Sequence, residues 1–309
     1  MDIILSLLNM TLKMSTPYLL CVIGGVFVQR AGVFNISLEG AITFGAFGGI
    51  LFTVLGESIA LGFAMGIVVC LVFNLIFGLF VVHLGGNPTI VGLSLNTVAS
   101  CVPPFLLQAF FQSRGSLNAT SLIDPAKMKL DIPILRDIPI LGDIFNNQTP
   151  LTYLSFVIVT VLTVVLYRTK FGVHVRVAGE NEEAAKAVGI KVKSIRIWTL
   201  VICGVTCALA GLNLSVESVG IFTLDMSASR GFICLSAINC GKKDPVKASL
   251  FALLFGFARA LQIILNNYVG PVVASLIGIL PYATILVVLF ITELPRIRAN
   301  TMRIFQEQI

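Results

Sequence analysis

Glu39 lies in the stretch with the most chemical content, Arg30-Ala-Gly-Val-Phe-Asn-Ile-Ser-Leu-Glu-Gly40, a polar, glycine-flanked break between two apolar runs. A carboxylate at membrane depth is expensive and normally faces the bundle interior with a partner. The glycines and Asn35 let a helix break there, and a broken helix exposes backbone polar groups that must line protein or a water-filled route. A plainer reading makes 30–40 a loop on the cytoplasmic side, with Glu39 solvated near a helix start where the helix dipole favours it. The residues by themselves leave both readings open.

Two further polar groups of residues interrupt apolar sequence. In Gly85-Gly-Asn-Pro-Thr-Ile-Val-Gly-Leu-Ser-Leu-Asn96, Asn87 can cap a helix and Pro88 suits its first turn. Ser94 and Asn96 then enter an apolar run as hydrogen-bonding groups, to meet solute or, the favoured role, to bond helices together. In Met226–Gly241, Arg230 needs an acceptor in an apolar neighbourhood, and Asp225 or Glu217 would supply one as a structural ion pair. Asn35, Glu39, Ser94, Asn96 and Arg230 are therefore the candidates for a polar path.

Catalytic patterns are missing. The only Gly-Lys step, Gly241-Lys242, lacks the spacing and the hydroxyl of a phosphate-cradling loop. There is no H-E-x-x-H or G-x-S-x-G pattern, and the two histidines, His83 and His174, are far apart. Seven cysteines fall in apolar runs without a C-x-x-C pair, so packing is their expected role and no metal site is expected. An enzyme reading has little to stand on.

The elements that must position these residues are set by composition. With 57% hydrophobic and 12% charged residues, the chain carries about half the charge of a soluble domain. A helix needs about 20 mostly apolar residues to cross a bilayer. Apolar runs near 5–28, 40–56, 59–82, 89–112, 151–167, 197–217, 227–240, 247–266 and 272–292 predict an all-α, polytopic membrane protein with about nine transmembrane helices, some broken or short, in a single domain over 1–309. The run 227–240 is short and contains Arg230, which suggests a tilted, re-entrant or half-length helix. The first run continues past Lys13 to Phe27, so it is expected to remain as a helix rather than a cleaved signal.

Lys and Arg predict sidedness. The loop 168–196 holds seven of them against three glutamates, and reads as cytoplasmic. Alternating crossings then place Arg30, the Gly241–Lys247 turn and the tail 294–309 on the same side, with the N-terminus outside and the C-terminus inside. The net charge of +6 is thus accounted for by membrane topology rather than nucleic acid. The loop 113–150 falls outside. It repeats Asp-Ile-Pro-Ile-Leu at 131–135 and 137–141, and its prolines forbid a regular helix. Within the cytoplasmic loop, Gly179–Ile190 predicts a short helix capped by Asn181, with Ala184, Ala185 and Val188 on one face. Such a helix either rests on the membrane surface or serves as a docking knob, and the residues by themselves leave both readings open.

In this order, Ala31–Gly40, Leu93-Ser-Leu-Asn96, Asp137–Leu141 with Asn147-Gln-Thr-Pro150, Tyr167–Gly172 with Ala178–Ala185, and Ser229-Arg-Gly-Phe232 before Gly241-Lys-Lys-Asp-Pro245 resemble the permeases of the ribose and branched-chain amino acid group of ABC importers. The likeness covers nearly the whole chain and is strongest to the nucleoside branch that works with a lipoprotein receptor. It implies the shorter of two different permease subunits in a bacterial cell membrane, partnered by an ABC ATPase that binds ATP–Mg, with no cofactor in this chain. It also implies nucleoside delivery by an external binding lipoprotein. Glu180, Asn181, Glu182, Glu183, Ala184, Ala185, Gly189, Lys242, Lys243, Asp244 and Pro245 become ATPase-coupling candidates, and Asp131, Asp137 and Asp143 receptor-docking candidates. Lys243 and Asp244 depart from the aromatic and Asn that relatives commonly carry before this proline. The rival expectations are a permease for a simple sugar or other small solute, and a stand-alone channel or ion-coupled carrier.

Overall fold

The computed structural model describes residues 2–113, 115–131, 141–266, 277–279 and 281–290. Its elements follow the apolar runs. Helix α1 spans Asp2–Arg30, α2 Leu38–Gly56, α3 Ile59–Gly78 with a π turn over Leu79–His83, and α4 Pro88–Phe111. A short strand β1, Ser116–Asn118, precedes the five-residue α5, Leu141–Phe145, and then α6, Pro150–Arg168. Two short helices follow, α7 (Lys170–Glu180) and α8 (Glu182–Ala187). Helix α9, Val192–Leu212, ends in a π turn over Asn213–Glu217, and β2 covers Ile221–Thr223. Helices α10 (Arg230–Cys240), α11 (Pro245–Asn266) and α12 (Pro281–Phe290) complete the described chain.

Seven helices among the described residues are long and apolar enough to cross a membrane: α1, α2, α3, α4, α6, α9 and α11. The other two expected spans differ. Helix α10 has 11 residues, about 16 Å of rise, so it is a half-length helix held inside the protein. The expected 272–292 span lies partly outside the described residues, which show α12 within it. The all-α expectation misses one feature, an antiparallel pairing of β1 with β2 that sets Leu117 opposite Phe222.

Helix α1 runs through the middle of the bundle, and nearly every side chain from Tyr18 to Val28 is buried. It packs on α11, α9, α10 and α6, while α2 packs on α3 and α9. Small residues permit the close approach: a side chain at Gly45 would meet the Ala208 backbone at 2.9 Å, and one at Gly48 would meet the Gly66 backbone at 3.3 Å. In lipid, where apolar side chains gain little by leaving their solvent, such backbone proximity is what holds helices together. Helices α4 and α6 lie at the periphery, with Ile90, Phe105 and Phe110 of α4 and Val157, Val161 and Val164 of α6 exposed.

The two ends of the bundle are distinct. Near the start of α1, the Asn9 side-chain amide donates to the carbonyls of Ile144 (3.0 Å) and Asn146 (3.2 Å), and the Gln148 amide donates to the Asn9 carbonyl (3.0 Å). Near its other end, Arg30 Nε donates to the Lys243 carbonyl at 2.6 Å. From residue 9 to residue 30 a helix rises roughly 32 Å, the thickness of a hydrocarbon core. One end thus gathers Ile144, Asn146 and Gln148, and the other gathers Arg30, the 168–196 loop and the 241–247 turn.

Candidate functional site

A cavity of about 390 Å³ opens between α2, α4 and the segment that leads from β2 to α10. Glu39, Gly40 and Thr43 line it from α2, and Asn96, Ala99, Ser100, Pro103 and Pro104 from α4. Phe222, Leu224, Asp225 and Ser227 complete the wall. That volume is in the range of small-molecule sites.

The wall is built around Glu39. The residue sits in the first turn of α2, where an acid complements the helix dipole. Its carboxylate, however, is spent on a different helix. Oε1 accepts from Ser229 N at 2.9 Å and from Ser227 Oγ at 2.5 Å, and Oε2 accepts from Gly231 N at 2.6 Å. Glu39 is therefore the cap of α10, supplied from 190 residues away in sequence. It satisfies amides that the helix itself leaves unpaired and places a negative charge at its positive end. Thr43 Oγ1 donates to Ser227 Oγ at 3.1 Å, extending the chain of bonds. Gly231 lies so near the Glu39 backbone that a Cβ would fall 2.5 Å from Glu39 Cα, so the two helices touch main chain to main chain.

Asn96 completes the frame. Its Oδ1 accepts from Gly40 N at 2.9 Å and its Nδ2 donates to the Ile36 carbonyl at 3.0 Å. Both halves of the amide are thus used to hold the entry of α2 against α4. Asn35 is buried behind this wall. Its Oδ1 accepts from Ser37 N (2.9 Å) and Ser37 Oγ (2.6 Å), a side-chain turn that delivers the chain into α2. Of the five candidates for the polar path, Glu39 and Asn96 line the cavity. Asn35 is bonded behind it, and Ser94 lies on an exposed face of α4.

Arg230 corrects an expectation. Neither Asp225 nor Glu217 pairs with it; its Nη1 donates to the carbonyls of Met226 (2.8 Å) and Ser227 (3.0 Å). The guanidinium thereby pins the turn that precedes α10. Glu217 is committed elsewhere, accepting from Asn213 Nδ2 (3.0 Å) and from Leu151 N (3.2 Å) at the start of α6. In the turn itself, Asp225, Ala228 and Ser229 hold positive φ of 61°, 43° and 60°. Non-glycine residues in this region cost of order 1–3 kcal/mol each and persist only where surroundings impose them. Here the imposing groups are Glu39 and Arg230.

At the basic end, Asn181 caps α8 through Ala184 N (2.9 Å), as its position predicts. Glu182 bridges Lys186 and Arg196, each at 2.7 Å. Lys186 and Arg196 hold the Glu182 carboxyl below the usual carboxylate range. Arg196 also donates to the Ala31 carbonyl at 3.2 Å, which fastens α8 to the end of α1. Asp244 caps α11 through Lys247 N (2.9 Å) and accepts from the Tyr167 hydroxyl at 2.6 Å. Burial pushes its carboxyl up, but the Tyr167 hydroxyl and the Lys247 and Val246 amides outweigh burial and hold it low. The expected face of Ala184, Ala185 and Val188 divides: Ala185 is buried with Ala178 and Val192, while Ala184 is exposed and Val188 is 73% exposed. Glu180, Glu183, Gly189, Lys242 and Lys243 are also exposed, and Pro245 is buried. At the opposite end, Asp131 accepts from Asn146 Nδ2 at 2.6 Å. Asp137 and the side chain of Asp143 lie outside the described residues.

Residues 7–289 match the model of a family described as branched-chain amino acid transport system / permease component. The chain belongs to that family. It is a multi-pass permease subunit of an ABC transporter, a transport component rather than an enzyme. The permease is 32% identical to the nucleoside ABC transporter permease protein NupC of Lactococcus lactis subsp. cremoris, over 89% of this chain and 88% of the relative. It is also 32% identical to the guanosine ABC transporter permease protein NupQ of Bacillus subtilis, over 82% of this chain and 81% of the relative. A third relative is a putative glucose ABC transporter permease protein, TsgC13 of Haloferax volcanii, at 28% identity over 83% and 77%. An ABC permease works with an ATPase and a substrate-binding partner.

Sequence reasoning did not place Ser100 or Arg259 among the candidates, and it named Asp225 only as a partner for Arg230. Asp225 and Ser100 line the cavity, and Arg259, in the interior of α11, donates to Gln262 Oε1 at 2.7 Å. For Arg259 a signal was present, a lone cation within an apolar run.

Proposed function

We propose that this permease is one of two different permease subunits of a nucleoside importer in a bacterial cell membrane. The observation that carries the reading is the chemistry of the cavity wall. Among the described residues it holds two carboxylates, two hydroxyl-bearing side chains besides Ser227, the apolar Leu224 and Pro104, and no Lys or Arg. A wall of that kind repels anions and suits a neutral solute that is rich in hydrogen-bond donors and has a flat apolar face. A nucleoside has both, and the nucleoside and guanosine transport named for two relatives points the same way.

The remaining assignments follow from the two ends of the bundle. The Lys- and Arg-rich end faces the cytoplasm, which puts the N-terminus outside and the C-terminus inside. The ATPase docks there against Val188, Glu183, Lys242 and Lys243, and ATP–Mg binds to it; this chain carries no cofactor. The external lipoprotein delivers solute to the 113–150 end. Ser100 and Asp225 are exposed, so the cavity is open on one side. A second permease seated against the apolar α4 face, which bears Leu93, Val98 and Phe105, would close it. Alternation between outward and inward openings then requires only that nucleotide binding in the ATPase favour one state over the other.

Uptake competition tests the solute class. Labelled adenosine uptake by cells expressing the complete importer is expected to fall in the presence of excess unlabelled uridine or guanosine and to be indifferent to ribose and glucose. Competition by ribose or glucose without competition by nucleosides would replace this reading with sugar import.

A further inference from the structure

We infer that Asp225 is the group that reads the sugar of the solute, accepting hydrogen bonds from the vicinal 2′- and 3′-hydroxyls of a ribonucleoside. The inference rests on the nucleoside reading and deepens it. A ligand can be bonded only by polar groups of the cavity wall that are still free.

Most are not. The Glu39 carboxylate carries three bonds to α10 and its approach, and Asn96 uses both ends of its amide on Ile36 and Gly40. The one Thr43 proton is shared between the Ser227 hydroxyl and the Glu39 carbonyl, and Ser227 donates to Glu39. Ser100 donates to the Asn96 carbonyl at 3.1 Å. Asp225 differs. The residue lines the cavity and is exposed, and its carboxylate has no hydrogen-bond or ion-pair partner among the described residues.

Its backbone is nonetheless fixed. The Asp225 carbonyl accepts from Ala228 N at 2.9 Å, and the next two carbonyls, of Met226 and Ser227, are held by Arg230. The carboxylate is therefore a free acceptor on an anchored turn. The preorganised, unspent capacity of this wall is for accepting hydrogen bonds, which selects a ligand that donates. Two adjacent hydroxyls match the two oxygens of one carboxylate, the geometry by which an acidic residue holds a ribose diol in dinucleotide sites. Leu224 and Pro104, on the same wall and not buried, are left to face the base.

The test uses the complete importer in proteoliposomes, with each solute at a concentration that saturates the receptor. ATP-driven uptake of adenosine and of 2′,3′-dideoxyadenosine is measured for the wild type, Asp225→Asn and Asp225→Ala. Comparing the two solutes within each variant removes differences in folding, assembly and reconstitution. Asp225→Ala is expected to lower adenosine uptake about tenfold relative to the dideoxy analogue, which is the worth of one charge-assisted hydrogen bond. Asp225→Asn, which keeps one acceptor oxygen, is expected to fall between. An equal fall for both solutes, or no change in their ratio, would overturn the role of Asp225 while leaving nucleoside import standing. A wild-type importer that moves neither solute would instead remove the nucleoside reading beneath it.

Discussion

Replacing Glu39 by Gln is the sharpest probe of how the cavity is held together. The substitution keeps the length of the side chain and one acceptor oxygen, but removes the charge at the α10 N-terminus and turns one acceptor into a donor. In the wild type that second oxygen accepts a backbone N–H, so in the variant two donors face each other. Losing one charge-assisted bond is worth about 1.5–3 kcal/mol, and the helix-end interaction up to about 2 kcal/mol in partly buried geometry; the two overlap, so about 2–3 kcal/mol is a reasonable total. That loss would not unfold the bundle, because α1 is also held by α9 and α11. It would instead raise local opening of the 225–231 turn, and each 1.4 kcal/mol is tenfold in an opening constant. Amide hydrogen exchange, measured by mass spectrometry on the permease in nanodiscs, is expected to accelerate roughly 30- to 100-fold in peptides covering 225–233. Peptides from α3 and α6 are expected to keep their wild-type rates. Unchanged exchange at 225–233, or acceleration spread evenly over the chain, would refute the assignment of Glu39 as the cap of α10.

Three further outcomes follow from other contacts. Gly231→Ala forces a Cβ to within 2.5 Å of Glu39 Cα and 2.8 Å of the Leu38 carbonyl carbon, both main-chain atoms that cannot rotate away. Overpacking of this kind costs about 1–3 kcal/mol or more, and thermal unfolding in detergent is expected to occur several degrees lower than in the wild type. At the basic end, the folded-state pKa of Glu182 is depressed, so its ion pairs stabilise the α8 region above the ordinary glutamate range and the stabilisation disappears as pH falls through the depressed value. The side chain is 40% exposed, which limits the effect to under about 1 kcal/mol. Exchange of 181–190, corrected for intrinsic rates, is expected to rise modestly between pH 6 and pH 3.5 in the wild type and to be flat in Glu182→Gln. Lys243→Gly should relieve a φ of 60° and raise stability by about 1 kcal/mol in thermal unfolding. If Lys243 docks the ATPase, the same variant is expected to lose ATP-driven uptake despite its greater stability.

The positions of the long helices were legible because length and hydropathy determine them almost alone: 40–56, 59–82, 89–112 and 151–167 as expected each fall within two residues of α2, α3 with its π turn, α4 and α6. The Asn87 and Asn181 caps were legible for the same local reason, since the acceptor and its amides lie within three residues of one another. What could not be read was anything created by apposition. Strands β1 and β2 are three residues each, too short to carry a period, and exist because the fold brings residues about a hundred apart together. Arg230 was expected to seek a carboxylate, but carbonyls of its own preceding turn were nearer and needed no second charge to be desolvated.

Glu39 fits the first of the two readings of its sequence, a partnered carboxylate lining a cavity, and takes one feature from the second. It does sit at a helix start, yet the helix end that it stabilises belongs to α10, and it is half-buried with partners rather than solvated. The same contact explains why 227–240 was a doubtful span. An 11-residue helix with an exposed positive end is poor membrane structure, but becomes acceptable once a carboxylate from α2 closes that end. By occupying it, Glu39 also removes from the cavity the one feature that would have attracted an anion. Half-helix ends commonly serve to bind anionic solutes; in this permease the end is already filled by Glu39.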